Sequence, residues 1–340
     1  MRLSIKIVSA LIATAAISLL IWSGTGPTLA TLFGPGFGVV EAQSARPQYT
    51  DWSAIEPVTA FNTVANELPN AISHDGLRFY FFRNGDIYVS NRPDRNSDWG
   101  APVALPATIN LPPPSVETNA FETTDGHWLY FGSTRSGGLG GSDIWVSWRK
   151  NVHDDQGWQP AVNLSAVNTA GFENGPALVE NEETGMTELY FAASPCAAAP
   201  CPAGTGTQAF ADLYMSILGP GGFETPELLA SLSDPTHHDG KPWVLRGDRE
   251  LFFESYRLGP PPMSTGGAIF MSTRPSGDQP WGDPAVTLVG PSNPGSPGDR
   301  WLTTPVLSRD ALTLHVGVNQ TGTDIGDIYE AHRERVTGSR

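Results

Sequence analysis

The chain has 340 residues, 39% of them hydrophobic and 16% charged, with 37 glycines and 30 prolines. That is enough apolar material for a sizeable core, and the Gly and Pro content without any long helix-period run excludes a helical fold. A formal charge of −15 with no basic run or stripe excludes a reader of phosphate backbones, so no nucleic-acid partner is expected.

In chain order, residues 1–42 come first. Arg2 and Lys6 precede an apolar stretch from Ile7 to Trp22, followed by a Gly/Pro-containing segment, the layout of an export signal. Small-x-small sites end at Ala30 and at Ala42, the latter placing cleavage before Gln43. The apolar stretch is long for a signal, so an uncleaved N-terminal anchor stays open, and it is the one expected membrane contact. The remainder, 43–340, is expected to be a single extracytoplasmic domain, periplasmic or secreted.

Five copies of a repeat of about fifty residues follow. Their first halves read ELPNAISHDGLRFYF, ETNAFETTDGHWLYF, ENGPALVENEETGMTELYF, DGKPWVLRGDRELFF and DRWLTTPVLSRDALTLHV, each a strand, a polar turn and a strand. Asp75-Gly76 and Asp125-Gly126 supply the positive φ angles of tight hairpins. Third strands read NGDIYVSNR, GSDIWVSWR, FADLYMSIL, GGAIFMSTR and IGDIYEAHR, alternating as half-buried strands do. A fourth opens with an aromatic and a proline at Trp99/Pro102, Trp158/Pro160, Phe223/Pro226 and Trp281/Pro284, where an outer edge loses no ladder donor.

The fifth copy stops at its third strand, whereas Trp52–Pro57 and Phe61-Asn62-Thr63 read as a fourth strand with no blade before them. Four strands per repeat at this period predict an all-β, five-bladed β-propeller of antiparallel blades. Its blades span about 67–110, 117–168, 173–233, 239–293 and 299–333, and the N-terminal strand 52–63 closes the last.

The motifs E-x-x-P, S-x-D-G, LYF-x-S-x-R-x-GG and D-I-Y-V-S resemble the TolB-like, WD-repeat-like propeller repeats of bacterial exported proteins, from Trp52 to about Arg333. The resemblance implies a fold and an envelope setting; function does not follow from it.

The two cysteines, Cys196 and Cys201, lie in the loop-like SPCAAAPCPAG of a chain expected to leave the cytosol, and read as a small loop-stapling disulfide. Two thiolates alone make an incomplete metal shell.

Alignment puts Glu67, Glu117, Glu173, Asp239 and Asp299 just before the innermost strands, an acidic ring at one channel mouth. Such carboxylates serve glycoside hydrolysis when one is a raised-pKa acid and the other ionised, and a divalent cation is another tenant they would suit. A residue present in every blade equally answers a need that every blade has, such as capping loop amides. Arg83, Arg135 and Arg257 recur in the same way after the second strands.

Departures from the repeat are sharper leads. SDPTHHDGKPW surrounds the fourth acidic position with His237, His238, Lys241 and Trp243, suited to metal binding or acid/base work, or to loop hydrogen bonding alone. The fifth copy adds Arg300 and Trp301, suited to stacking on a sugar or clamping a carboxylate, or to ordinary packing. No G-x-S-x-G, P-loop or H-E-x-x-H occurs. The first expectation is therefore a non-catalytic envelope module binding a protein or glycan at the acidic mouth, with no cofactor. The alternative is a carbohydrate-active enzyme, hydrolase or lyase, with a divalent cation as an option.

Overall fold

In a computed structural model, the described residues are 49–336 except 198, 202–205, 246–248, 262–266, 291–299 and 321–325. The expected signal or anchor, residues 1–42, lies outside them. Among the described residues no helix is long and apolar enough to cross a membrane.

Five antiparallel sheets form a ring, each starting with a strand beside the axis. The first blade is Glu67–Ile72, Arg78–Arg83, Asp86–Asn91 and Val103–Ala104. The next three begin with inner strands Glu117–Glu122, Phe172–Glu180 and Asp239–Val244, and the fifth with Arg300–Leu307. The third sheet has a fifth strand, because Gly222–Phe223 and Glu227–Leu228 both pair with Asp212–Gly219.

Closure follows the predicted offset. Glu56 and Pro57 pair with Glu330 and Tyr329, and Asn62 bonds both the N–H and the C=O of Ile328. Asn110 and Asn168 clasp Ile87 and Ile144 identically, so the N-terminal segment carries the same device that blades one and two use. The hairpin turns are self-hydrogen-bonded: Ser73, Thr123 and Ser308 donate to the aspartate two residues on. Gly76 and Gly126 take φ of 75° and 73° there, while the fifth blade puts Ala311 at φ 61°.

A second device recurs where the third strand ends. Arg92, Arg149 and Arg274 lie over Trp99, Trp158 and Trp281 at 4.2, 4.3 and 4.4 Å, and Arg333 over Trp52 at 4.5 Å. Three of these arginines also meet a buried or half-buried carboxylate: Arg149 with Glu122, Arg274 with Glu188 of the preceding blade, and Arg333 with Glu250 of the preceding blade. The third blade departs, with Leu218 at the arginine position and Phe223 at the aromatic one.

Candidate functional site

The backbone fixes which residues share the acidic position. The N–H groups of Glu117, Glu173 and Asp239 donate to the carbonyls of Gly85, Ser142 and Ala211 in the preceding blade, and in the fifth blade the equivalent donor is Leu302, bonded to Gly267. Register agrees: Glu67, Glu117, Glu173, Asp239 and Leu302 oppose Arg83, Ser133, Ala193, Ser255 and Val318. The expected ring of five carboxylates is therefore corrected. The fifth position is leucine, and Asp299 lies outside the described residues. Arg300, Trp301 and Leu302 do not follow an aligned acid as an insertion; they lead into the aligned position.

The four described carboxylates have no exposed surface. Glu67 accepts from Thr63 and from Arg83 at 2.8 Å, and Glu117 from Leu111 N–H, Ser133 and Arg135. Asp239 accepts from Asp234 N–H and Arg257, each at 2.6 Å. The same three arginines reach the carbonyls of Phe61, Ile109 and Leu232, which ties each connecting loop to the blade it enters. In the third blade the Cys196–Cys201 disulfide loop follows the second strand instead of an arginine. Among the described residues Glu173 accepts from Thr169 alone, and burial pushes its carboxyl up to about 7.

The fourth-blade departure is spent on structure as well. His237 meets Asp234 and the Gly259 carbonyl; His238, buried, spans the Gln208 carbonyl and Glu254 at 2.7 and 2.9 Å. Glu254 also accepts from Thr303 and Thr304 N–H. Burial alone would raise the Glu254 carboxyl, but His238, Lys241 and Thr303 outweigh it and hold the group at about 2. Lys241 sits in the bulge of the inner strand at φ 51°, its ammonium pKa lowered by burial and supported by Glu254. Trp301 packs on Gly267, and Arg300 is exposed near the Tyr329 hydroxyl at 3.4 Å. Among the described residues no group of three or more His, Cys, Asp or Glu side chains is placed to hold a metal ion.

At the bulges the axis narrows to a void of about 20 Å³ lined by Asn70, Asn119, Gly175, Lys241 and Thr304. Beyond it, at the opposite mouth, all five inner strands end in a funnel of about 360 Å³. Ile72, Phe121, Val179, Trp243 and Leu307 make its apolar wall, with Phe121 and Trp243 tilted at 58° and 5.6 Å apart. His74, Thr124, Glu180, Glu182 and Arg309 stand at its rim. Sequence alignment passes over this site because its residue types do not recur between blades; only the convergence of the strand ends marks it.

No protein-family model and no curated protein matches the chain. Among solved structures it is similar to a thermostable family-43 glycoside hydrolase, with a TM-score of 0.51 and 10% identity over 85% of this chain and 94% of that one. It is also similar to the protein assigned as TolB from Agrobacterium tumefaciens, with a TM-score of 0.44 and 12% identity over 84% and 97% of the two chains. A third is the exo-1,5-alpha-L-arabinanase from a bovine ruminal metagenomic library, at 0.47 and 11% over 82% and 96%. At these identities the likeness is one of fold.

Proposed function

We propose that this chain is an exported, non-catalytic recognition propeller of the cell envelope, which holds a segment of a partner protein in the axial funnel. The observation that carries the reading is the contrast between the two sets of inner-strand residues. The four described carboxylates at the acidic positions are consumed by loop amides, hydroxyls and guanidiniums, whereas the far ends of the same strands surround an accessible apolar hollow with a charged rim. General acid–base cleavage of a glycosidic bond needs two carboxyls that reach substrate, one of them flanked by a water or attacking face. Glu67, Glu117, Glu173 and Asp239 have no surface with which to do so. An apolar wall with an aromatic pair and a few rim charges instead suits an inserted apolar side chain, with Glu180, Glu182 and Arg309 fixing its orientation. The basic, then apolar N-terminal segment supports the envelope setting.

The test is capture of partners from envelope extract, followed by the affinity of a purified partner for wild type and for Thr124→Trp, which fills the mouth from an exposed rim position. At least tenfold weaker binding at an unchanged melting temperature is expected. Binding indifferent to Thr124→Trp, or turnover of any member of a plant, algal and bacterial polysaccharide panel, would overturn the reading.

A further inference from the structure

At the boundary between the second and third blades, the charged tie that the third-fourth and fourth-fifth boundaries use is replaced by an open apolar slot. Where the fourth blade meets the third, Arg274 pairs with Glu188, and where the fifth meets the fourth, Arg333 pairs with Glu250; these arginines are at most 8% exposed. The matching positions at the second-third boundary are Leu218 for the arginine and Trp128 for the acid, with Phe223 for the stacked tryptophan. All three members of the device have become apolar together.

Register shows that these residues face one another. Tyr130 lies edge-on to Phe223 of the third blade at 6.4 Å and belongs to the cluster that contains Leu178 and Leu189, so Trp128, two residues earlier, points the same way, as does Trp148 directly opposite it. On the other wall, Glu180, Thr187, Leu218 and Phe223 form one cross-strand row on the face of Leu178 and Leu189. Unlike the buried ties, this pair of rows is wet: Trp128 is 42%, Leu218 40% and Trp148 37% exposed. Two adjacent exposed tryptophans facing an exposed leucine are the composition of an interface core rather than of a free surface.

We infer that this slot is a docking site for a partner polypeptide that inserts an apolar side chain beside a Lys or Arg. The charge is set by Glu180, exposed at the inner end of the row, with exposed Glu182 and Asp125 on the adjoining hairpins, in a chain of net charge −15. That charge disfavours a second copy of this chain as the occupant. Glu180 also belongs to the funnel rim, and the proposal rests on the funnel reading only for that shared edge; the slot stands on its own residues whether or not the funnel is filled.

The experiment pans a random-peptide phage library on the full chain and measures the enriched peptides, made synthetically, on three variants. Trp128→Glu with Leu218→Arg and Phe223→Trp rebuilds the repeat's charged tie and closes the slot. Trp148→Ser removes one surface ring in case the triple variant fails to fold. Thr124→Trp blocks the funnel alone. Enriched peptides are expected to carry an aromatic or aliphatic residue next to Lys or Arg. They should bind the triple and Trp148→Ser variants at least tenfold more weakly, and Thr124→Trp within about threefold of wild type. Lack of enrichment, peptides that bind both slot variants as well as wild type, or acidic consensus sequences overturn the proposal. So does self-association, or binding on an oligosaccharide array, that the slot variants abolish. Loss on Thr124→Trp alone would refute the slot and leave the funnel reading standing; loss on the slot variants alone supports the slot and leaves the funnel to its own test with the envelope partner.

Discussion

Arg149→Met removes one of the two arginines on Glu122, the second-blade acid that Arg78 and Tyr80 of the first blade also hold. The Arg149 guanidinium, with no exposed surface, meets Glu122 and Asp155 at 2.8 Å each, donates to the Gly126 carbonyl at 2.9 Å and lies 4.3 Å over Trp158. Glu122 keeps Arg78 and the Tyr80 hydroxyl after the substitution, but it loses one of two cations in a site with little exposed surface. Removing one partner of a buried pair costs about 3–5 kcal/mol, because the remaining charge stays desolvated. For a domain of this size that corresponds to a fall of roughly 10 °C in melting temperature. Arg249→Met is the matched control: its partner Glu183 is also at 2.8 Å, but both side chains are about a third exposed, so the loss should be about 0–1 kcal/mol and shrink in 1 M salt. Calorimetry with urea titration of both variants decides. Equal losses, or less than about 1 kcal/mol for Arg149→Met, would refute the claim that burial rather than distance sets the worth of these pairs.

Glu173, raised to about 7 by burial, holds a proton in the folded chain that the unfolded chain has already lost. Its stabilising contribution is complete below about pH 4 and disappears as pH rises through 7, and Asp212, raised to about 6, has the same sign. Urea midpoints from pH 4 to 8 should therefore fall less steeply in Glu173→Gln; parallel curves would contradict this. Gly140→Ala should cost about 1–3 kcal/mol, since its Cβ would lie 2.3 Å from the Gly171 carbonyl oxygen, while Gly221→Ala, with open space around it, should be neutral in the same melts. Reduction of Cys196–Cys201, or Cys196→Ser with Cys201→Ser, should cost about 2 kcal/mol for a loop this short, read as a lower melting temperature; no change would mean that the loop is already held by its bonds to Thr169 and Ala170.

The ring was legible in the sequence because the blades share local chemistry: a polar turn, Asp-Gly in the first two, an alternating third strand and, in four of them, a proline-marked edge. The closing strand was legible as an offset, since Trp52 and Pro57 carry the fourth-strand signature ahead of any blade. Register at the fifth acidic position was not, because Asp299 matched by residue type where Leu302 matches by hydrogen bond. The funnel escaped for another reason: its wall residues, all apolar, fall at three different registers along their strands, so no column of the repeat collects them. Leu218 stood in plain view as SIL among SNR, SWR, STR and AHR, yet its meaning depends on Trp128 across the blade boundary, a pairing that sequence order does not display.

The strand at Glu56–Pro57 has a consequence for how the molecule comes into being. Among the described residues every other strand ladder joins segments within about 30 residues, so four sheets can assemble as the chain emerges, whereas this one, with the Tyr49–Arg335 bridge beside it, waits for Gly326–His332 and beyond. The first strand made is the last to find its partner. Until then both ends of the arc expose unpaired backbone, and a nascent chain stalled or cut before residue 326 is an open crescent with two edges able to recruit one another between molecules. A shielding factor that acts on this protein during synthesis would have its work at that seam, in the interval between the fourth blade and the fifth.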